Sequence, residues 1–489
     1  MGEEWEMAIL AKTERGKPTP QVTHRHIELL FECLPHYLYP KALPKSGRRY
    51  LPNGALLYVD TGGHVEYATA EGKYPESIVI CSKAGEITIR EAAEAVNKHP
   101  DLQKGGVALA VFKNNAAQNG LSYGVHENYL TRRNEFTVPD RKLLWRIGWF
   151  LGTRMIFTGN GWIGITEKGS LFFSLSQRIR FIHHGVSSGT TSERAIINTR
   201  DDMMVDSTRF RRLHIISGDT TIFQAATYLK FGTADLVLDM IEEGYLREFP
   251  FGEFSDGQIL EGLHVYARDP SLRVTYRGLN AIDRQEWYYE RACRYYKECG
   301  NLTESRKRML EMWRAAIQAA RSERPEEVLT SIAGWAAKYM FLEKNRERLK
   351  YTYEDPLKKI AVPIRRGGEK TVEDIRTVLA HVKSIDYDFD RISPMGLGLF
   401  MEERGLTERI VPEEKVLRAR MGPIPGETRA YPRGKELAWA YQQILKGAVI
   451  EVNADWDYVR ITFADKSSVR ISHANPFDTS LNHYRNLNS

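Results

Sequence analysis

Tyr58-Val-Asp-Thr-Gly-Gly-His-Val-Glu-Tyr-Ala-Thr-Ala-Glu71 is the stretch whose reading decides the fold. Ala55 to Val59 and Val65 to Thr69 read as strands, and Thr61-Gly-Gly63 reads as the turn between them. Such a hairpin presents side chains from both strands on one sheet face. A second acidic strand, Glu3-Glu4-Trp-Glu6-Met-Ala-Ile-Leu, opens the chain. Carboxylates are depleted in strands, so their concentration here asks for a chemical reason. Glu4 and Glu6 alternate by two and share a face, as do Tyr58 and Asp60. Acids this close repel unless cations neutralise them, and Mg²⁺, a hard ion that prefers oxygen, suits them. A metal-bearing acidic sheet with a carboxylate base beside it suits phosphoryl transfer from ATP.

The chain has 489 residues, room for one large domain and a smaller one. Hydrophobic residues make up 42% and charged residues 27%, the balance of a globular protein. No run of about 18 apolar residues predicts a membrane helix. The start, Met1-Gly-Glu-Glu-Trp-Glu6, has no apolar signal core, which points to a cytoplasmic protein. Cys33, Cys81, Cys293 and Cys299 form no Cys-x-x-Cys pair and read as ordinary thiols of a reducing compartment. A net charge of +6 favours acidic partners without choosing among them. No aromatic–basic repeat suggests a nucleic-acid platform.

Residues 4 to 11 read as a strand, and His26 to Leu38 as a short helix. Thr88 to Val96 is a helix, and Val107 to Phe112 and His126 to Leu130 are strands. An amphipathic helix begins at Pro139-Asp140 and runs past Trp149. Ile196-Ile197 and Leu213 to Ile216 are strand-like, and Ile222 to Glu243 has helical periodicity, capped by Gly244. A helical block covers about 283–348, Pro356 to Gly368 is linker-like, and Pro412 to Gly434 resembles a boundary. Lys435 to Leu445 is then a helix, with strands near Tyr458–Phe463 and Ser467–Ser472 and a poorly ordered tail from Pro476. Many strands precede the helices without strict βαβ alternation, so the class is α+β. The division is 1–415 for a catalytic domain and 416–489 for a small C-terminal domain. No Gly-x-x-x-x-Gly-Lys-Ser/Thr loop is present, so ATP would be held without a P-loop.

Asp60 is the best base candidate because it lies between possible ligands Tyr58 and Glu66. Arg212 and His214 point the same way on a strand. The arginine would neutralise phosphate, and the histidine would offer a neutral nitrogen to a metal or hydrogen-bond a phosphate. Asn198-Thr-Arg200 offers a further clamp, and the amide-rich Lys113–Tyr129 segment could border the pocket. Trp456, between Asp455 and Asp457, could stack on adenine or pack the small domain. The metal candidates are Glu4, Glu6, Tyr58, Glu66 and His214, and the nucleotide candidates are Glu66, Thr69, Arg200, Arg212, His214 and Trp456.

These same stretches resemble the bacterial Pup ligase and depupylase family, among the glutamine-synthetase-like carboxylate–amine ligases. They are Gly2-Glu-Glu-Trp-Glu6, Asn53-Gly-Ala-Leu-Leu-Tyr-Val-Asp60, His64-Val-Glu-Tyr-Ala-Thr-Ala-Glu71, Lys113-Asn-Asn115 and Ser122-Tyr-Gly-Val-His-Glu-Asn-Tyr129. Ser174-Leu-Ser-Gln-Arg178, Ile196-Ile-Asn-Thr-Arg-Asp201, Arg211-Arg-Leu-His214, Thr428-Arg-Ala-Tyr-Pro-Arg-Gly434, Asp455-Trp456 and Asn475-Pro-Phe477 follow in order. The resemblance implies a curved antiparallel sheet cradling ATP and Mg²⁺, packed by helices, with a small C-terminal domain closing one side. It implies a catalytic aspartate at Asp60, metal coordination at Glu4, Glu6, Tyr58 and Glu66, and a nucleotide role near His214. The activity implied is phosphorylation of the side-chain carboxylate of the C-terminal glutamate of Pup, followed by an isopeptide bond to a substrate lysine. The conjugate would be directed to a bacterial proteasome.

Depupylases of the same family carry a long additional loop after the first strand. Glu6 and Asp60 are only 54 positions apart, which favours the ligase branch. Trp5, Met7, Ala8 and Val65 replace residues more common in the family, while the acids around them persist. A depupylase or deamidase, a small-molecule amidoligase and a non-enzymatic adaptor are the alternatives.

Overall fold

A computed structural model describes residues 1–13, 21–40, 47–117, 120–133, 141–165, 171–189, 193–201, 204–246, 251–252, 254–349, 352–354, 359–361 and 370–488. The acidic segments form neighbouring strands of a nine-stranded sheet. In chain order these are β1 (Gly2–Thr13), β2 (Arg48–Tyr50), β3 (Leu56–Val59), β4 (Val65–Ala68), β5 (Val107–Phe112) and β6 (Val125–Arg132). After β7 (Trp162–Ile165) and β8 (Leu171–Ser174) come β9 (His184–Ser187), β10 (Ala195–Asn198) and β11 (Phe210–Ile215). The order across the large sheet is β2-β3-β4-β1-β6-β11-β10-β9, with β5 on the far half of β1. All its pairings are antiparallel except β9 with β10, which run parallel, so the expected antiparallel sheet is mixed at one edge.

Period-two alternation gives this sheet two different faces. Glu3, Trp5 and Tyr67 point to one side and are buried there. Helices Pro75–Val96 and Gln224–Glu242 cover that side, since Ser82 of the first and Lys230 of the second both bond Glu3. The first helix comes close enough that a Cβ on Gly85 would sit 2.4 Å from the Tyr67 ring, so only glycine fits. Glu4, Glu6 and Glu66 point to the other side.

Beyond these, helices Asp256–Ala267, Ala281–Glu298, Glu304–Arg321 and Gly334–Leu349 build the largest core with Trp149, Trp313 and Trp335. A four-stranded sheet joins β12 (Thr352–Glu354), β13 (Lys359–Ala361), β8 and β7 in that order. The C-terminal strands β14 (Val449–Asp455), β15 (Tyr458–Phe463) and β16 (Ser468–Ser472) form a meander behind helix Ala430–Leu445. Leu437, Tyr441, Val459 and Ile461 share a core with Leu57 and Tyr67, and the Tyr441 hydroxyl donates to the Tyr50 carbonyl at 2.6 Å.

Several expectations change. The helix expected from Thr88 begins at Pro75, because Ile78 to Ala84 is buried all round and shows no amphipathic stripe. Lys359–Ala361 is a strand inside the linker-like segment, the rest of which lies outside the described residues. The tail past Pro476 holds a helix, Asn482–Asn488. Pro139-Asp140 lies outside the described residues, and the helix after it is Arg141–Thr153. Strands β2, β7, β8, β9 and β14 and helix Asp256–Ala267 carry too short or too polar a pattern to stand out alone.

Candidate active site

Antiparallel register assembles the site. Residues directly opposite share a face. Tyr58 faces Glu66 across β3 and β4, and Glu66 faces Glu6 across β4 and β1. Glu4 faces His126 across β1 and β6, and Asn128 faces His214 across β6 and β11. Five strands scattered over more than 200 residues of sequence therefore line one wall.

Two groups of ligand atoms lie on it, each within 4.8 Å: Glu4 with His126 and His214, and Glu6 with Asp60 and His64. Glu66 lies between them, with Oε1 3.7 Å from His126 Nδ1. Burial raises the Glu66 carboxyl well above its ordinary range, and the charges of Glu4 and Glu6 add to this. Glu66 Oε1 and both ring nitrogens of His214 are buried and bond to nothing. Burial, with Arg212, His126 and Arg200 nearby, holds His214 neutral. A wall of acids with buried, unpartnered oxygen and imidazole acceptors fits a hard divalent cation.

Glu4 and Glu6 sit lower, each at about 2, although burial works against them. His126 and Arg212 hold Glu4 down, and His64 and His126 hold Glu6 down. His64 Nδ1 is 2.8 Å from Glu6, which raises the imidazole. Its ring lies against Tyr123 at 4.8 Å. Tyr58 is a neutral phenol bonded to Glu66, its proton held by burial and by Glu4.

Asp60 closes β3 at the mouth of the wall. Its Oδ1 accepts the His64 backbone N–H at 2.6 Å, across the turn that Gly63 completes at φ 82°. Burial and Glu6 lift its carboxyl above the usual value. A half-buried carboxylate with raised basicity beside an acidic wall is equipped to accept a proton.

A cavity of about 390 Å³ adjoins Glu4 and is lined by Thr69, Asn128, Arg212, Arg429 and Trp456 among others. This lies within the range of small-ligand sites. Arg212 Nε donates to Asn128 Oδ1 at 2.7 Å, and the guanidinium stands 4.0 Å from Glu4. Thr69 is turned to structure, its Oγ1 accepting the Glu3 N–H at 3.0 Å. Arg200 is exposed at the end of β10 and does not line the cavity. Trp456 sits at the tight turn between β14 and β15, half-buried, its ring edge-on to Tyr50 at 5.7 Å. The Asn115 side-chain amide is absorbed structurally by Tyr123 and Thr220, and its backbone N–H donates to Gln177.

Sequence reasoning set the segment holding His126 and Asn128 at the pocket border but named neither of them, nor His64, as a ligand, and it passed over the clamp that fixes Trp456. Glu71 accepts from Arg433 at 2.6 Å and Arg429 at 2.9 Å, and Arg433 also donates to the Trp456 carbonyl at 2.7 Å. The two arginines outweigh burial and hold Glu71 at about 2. Their spacing of four on one helix face was a usable signal.

The family model described as Pup-ligase protein matches residues 11–460. A Pup–protein ligase of Acidimicrobium ferrooxidans is 33% identical over 452 residues, 90% of this chain and 90% of the relative. A Pup deamidase/depupylase of Mycolicibacterium smegmatis is 34% identical over 445 residues, 88% of this chain and 79% of the relative. The crystal structure of the complex between Pup and its ligase PafA superposes with a TM-score of 0.77 at 24% identity, covering 99% of this chain and 91% of that one. PafA in complex with ADP superposes with a TM-score of 0.73 at 26% identity, covering 97% and 95%. Sheet, helices and small C-terminal sheet thus follow the fold of these ligases, and the chain belongs to the Pup-ligase family.

Proposed function

We propose that this protein is an ATP-dependent Pup–protein ligase, joining the side-chain carboxylate of the C-terminal glutamate of Pup to a substrate lysine. The observation that carries the reading is the acidic wall of Glu4, Glu6 and Glu66, with Glu66 raised and one of its oxygens unpartnered, at the end of a cavity of small-ligand size, with Asp60 at its mouth. Glu4, Glu6, Tyr58, Glu66 and His214 would hold Mg²⁺, which when bound supplies the positive charge that lets ATP phosphates approach these acids.

The chain's own residues account for the remaining tasks. Trp456 offers an aromatic surface at the cavity wall, held by Arg433 and Glu71. Thr69 shapes the floor, while Arg212 brings guanidinium charge to phosphate oxygens. Transfer of the terminal phosphoryl group to the Pup carboxylate makes an acyl phosphate, which the lysine amine attacks with loss of phosphate. Asp60 takes the proton that the amine sheds, a task suited by its raised basicity.

The ligase reading is favoured over the depupylase by length. The chain spans 90% of the ligase relative but 79% of the depupylase relative. The proposal includes a cytoplasmic enzyme whose products go to proteasomal degradation. Among the described residues no helix is long and apolar enough to cross a membrane. We retain 1–415 as the catalytic domain and 416–489 as the small domain, because among the described residues β14 to β16 pair only with one another and their first turn delivers Trp456 to the cavity.

The test is intact-mass analysis of purified protein with ATP, Mg²⁺, a lysine-bearing acceptor and Pup ending in glutamate or glutamine. An ATP-dependent adduct with the glutamate form supports the ligase. Deamidation of the glutamine form without ligation assigns the depupylase branch instead.

A further inference from the structure

The turn that carries Trp456 does not set its own shape. Asp455 pairs with Tyr458, so Trp456-Asp457 is a two-residue hairpin loop between β14 and β15. Such loops favour turn types with a positive φ at the first central residue, which is why Asn-Gly and Gly-led pairs dominate them. Neither Trp456 nor Asp457 has a positive φ, and neither is glycine. The loop therefore takes its shape from what grips it.

Helix Ala430–Leu445 grips it twice. Arg433 donates to the Trp456 carbonyl at 2.7 Å. The next carbonyl, of Asp457, accepts the N–H of His473, just past β16. The His473 ring then returns to the helix, with Nε2 2.7 Å from Glu436 Oε2. Arg433 and Glu436 are three residues apart, so one helix face reaches two consecutive carbonyls, one directly and one through His473. The His473 carbonyl also accepts from Arg429, which bonds Glu71. On the near side of the loop the Trp456 N–H donates to Asp455 Oδ1, which the Tyr50 hydroxyl also bonds.

Stability alone gives no reason for this pair. His473 and Glu436 are 4% and 0% exposed, and Glu436 Oε1 has no partner. A buried carboxyl with one oxygen unbonded costs more than an apolar pair of similar volume would. What the pair adds is direction. Its hydrogen bond fixes the end of β16, and with it the Asp457 carbonyl, against the helix that carries Arg433. Neither His473 nor Glu436 lines the cavity, so whatever they do for a ligand there passes through the turn.

We propose that His473 is a positioning residue for the nucleotide base, holding the Trp456 turn against Glu436 so that the indole stays at the cavity wall. This rests on the reading of Trp456 as the aromatic surface for the nucleotide.

The experiment titrates Mg²⁺ and ADP by calorimetry and follows steady-state ligation. It compares wild type, Trp456→Ala, His473→Leu/Glu436→Leu, Glu436→Gln, and the double variant combined with Trp456→Ala. The double variant should weaken ADP binding and raise the KM for ATP about fivefold, a part of the worth of one stacked base. Its kcat should stay within about twofold and its melting temperature without nucleotide within about 3 °C. Glu436→Gln, whose amide oxygen still accepts from His473, should bind as wild type does. On top of Trp456→Ala the double variant should add less than about twofold, because it acts through that side chain. Unchanged ADP affinity in the double variant, beside a weakened Trp456→Ala, overturns the role of His473 alone. So does an undiminished loss on top of Trp456→Ala. Unchanged affinity in Trp456→Ala overturns the stacking role and takes His473 with it. Should the double variant not fold, His473→Asn keeps the backbone bond, loses the reach to Glu436 and is read by the same criteria. If wild type forms no conjugate, the ligase reading fails on its own, and the calorimetry still decides His473.

Discussion

Glu3 and Glu66 are both buried glutamates, in adjacent strands of one sheet, and they stand in opposite electrostatic states. Glu3 faces the helices, where Lys230 lies at 2.8 Å, Lys113 at 3.7 Å and the Ser82 hydroxyl at 2.6 Å. Although burial would raise it, these lysines bring it down to about 2. Glu66 faces the site, where Glu4 and Glu6 push its carboxyl up further, His126 stands off at 3.7 Å and one of its oxygens bonds to nothing. A compensated buried carboxylate holds a fold together. An uncompensated one stores a demand for a cation that only a ligand can meet. Sheet alternation lets a single strand serve both needs, Glu3 on one face and Glu4 and Glu6 on the other.

The largest expected effect separates chemistry from architecture on the acidic face. Asp60→Asn should cut ligation by about 10³-fold, the range of a lost general base, while ATP binding and the melting temperature stay near wild type. Loss of nucleotide binding in parallel would move Asp60 from base to scaffold.

On the opposite face, Glu3→Ala leaves Lys230 buried without a carboxylate partner, while Lys113 keeps Glu86, and should cost about 3–5 kcal/mol in urea unfolding. The contribution of Glu3 has a defined pH window. Its carboxyl titrates at about 2 folded against an ordinary 4.5, so the stabilisation is complete above about 4.5 and disappears as pH falls toward 2. Wild type and Glu3→Gln should therefore converge in stability on acidification. Curves that stay parallel down to pH 2 would disprove the ion pairing.

Glu66 should behave in the reverse sense. Glu66→Gln removes repulsion with Glu4 and Glu6, so the metal-free variant should melt at or above wild type. Mg²⁺ at about a hundred times its Kd should add about 2.7 kcal/mol to wild type, and the variant should lose most of that gain. A variant destabilised without Mg²⁺ would place Glu66 with Glu3 as a structural acid.

The smallest effect concerns the cavity. Trp456→Ala should raise the KM for ATP about tenfold, the worth of one stacked base, with little change in the KM for Pup. An unchanged KM for ATP would leave Trp456 as packing against Tyr50 and Arg433.

The acidic wall was legible because strand alternation and hairpin geometry act over a few residues. Glu4, Glu6, Tyr58, Asp60 and Glu66 could be placed on one face from spacing alone. His64 and His126 were present in the quoted motifs, yet their ligand geometry depends on cross-strand register. That pairing joins residues 122 apart in the case of Glu4 and His126, and no local pattern announces it. The opposite sense of Glu3 was equally hidden, since its lysines come from a strand and a helix far along the chain. The start of helix Pro75–Val96 was obscured because burial on all sides erases the periodicity that marks a surface helix.

The central claim is that the acidic face passes a phosphoryl group through the donor's carboxylate. The most direct measurement uses Pup whose terminal side-chain carboxylate carries two ¹⁸O atoms, with ATP, Mg²⁺ and a lysine acceptor, and follows the released phosphate by mass spectrometry. One ¹⁸O in phosphate for each isopeptide bond, with the other retained in the amide carbonyl, is the predicted result. Conjugate formed with no ¹⁸O in phosphate would contradict the account.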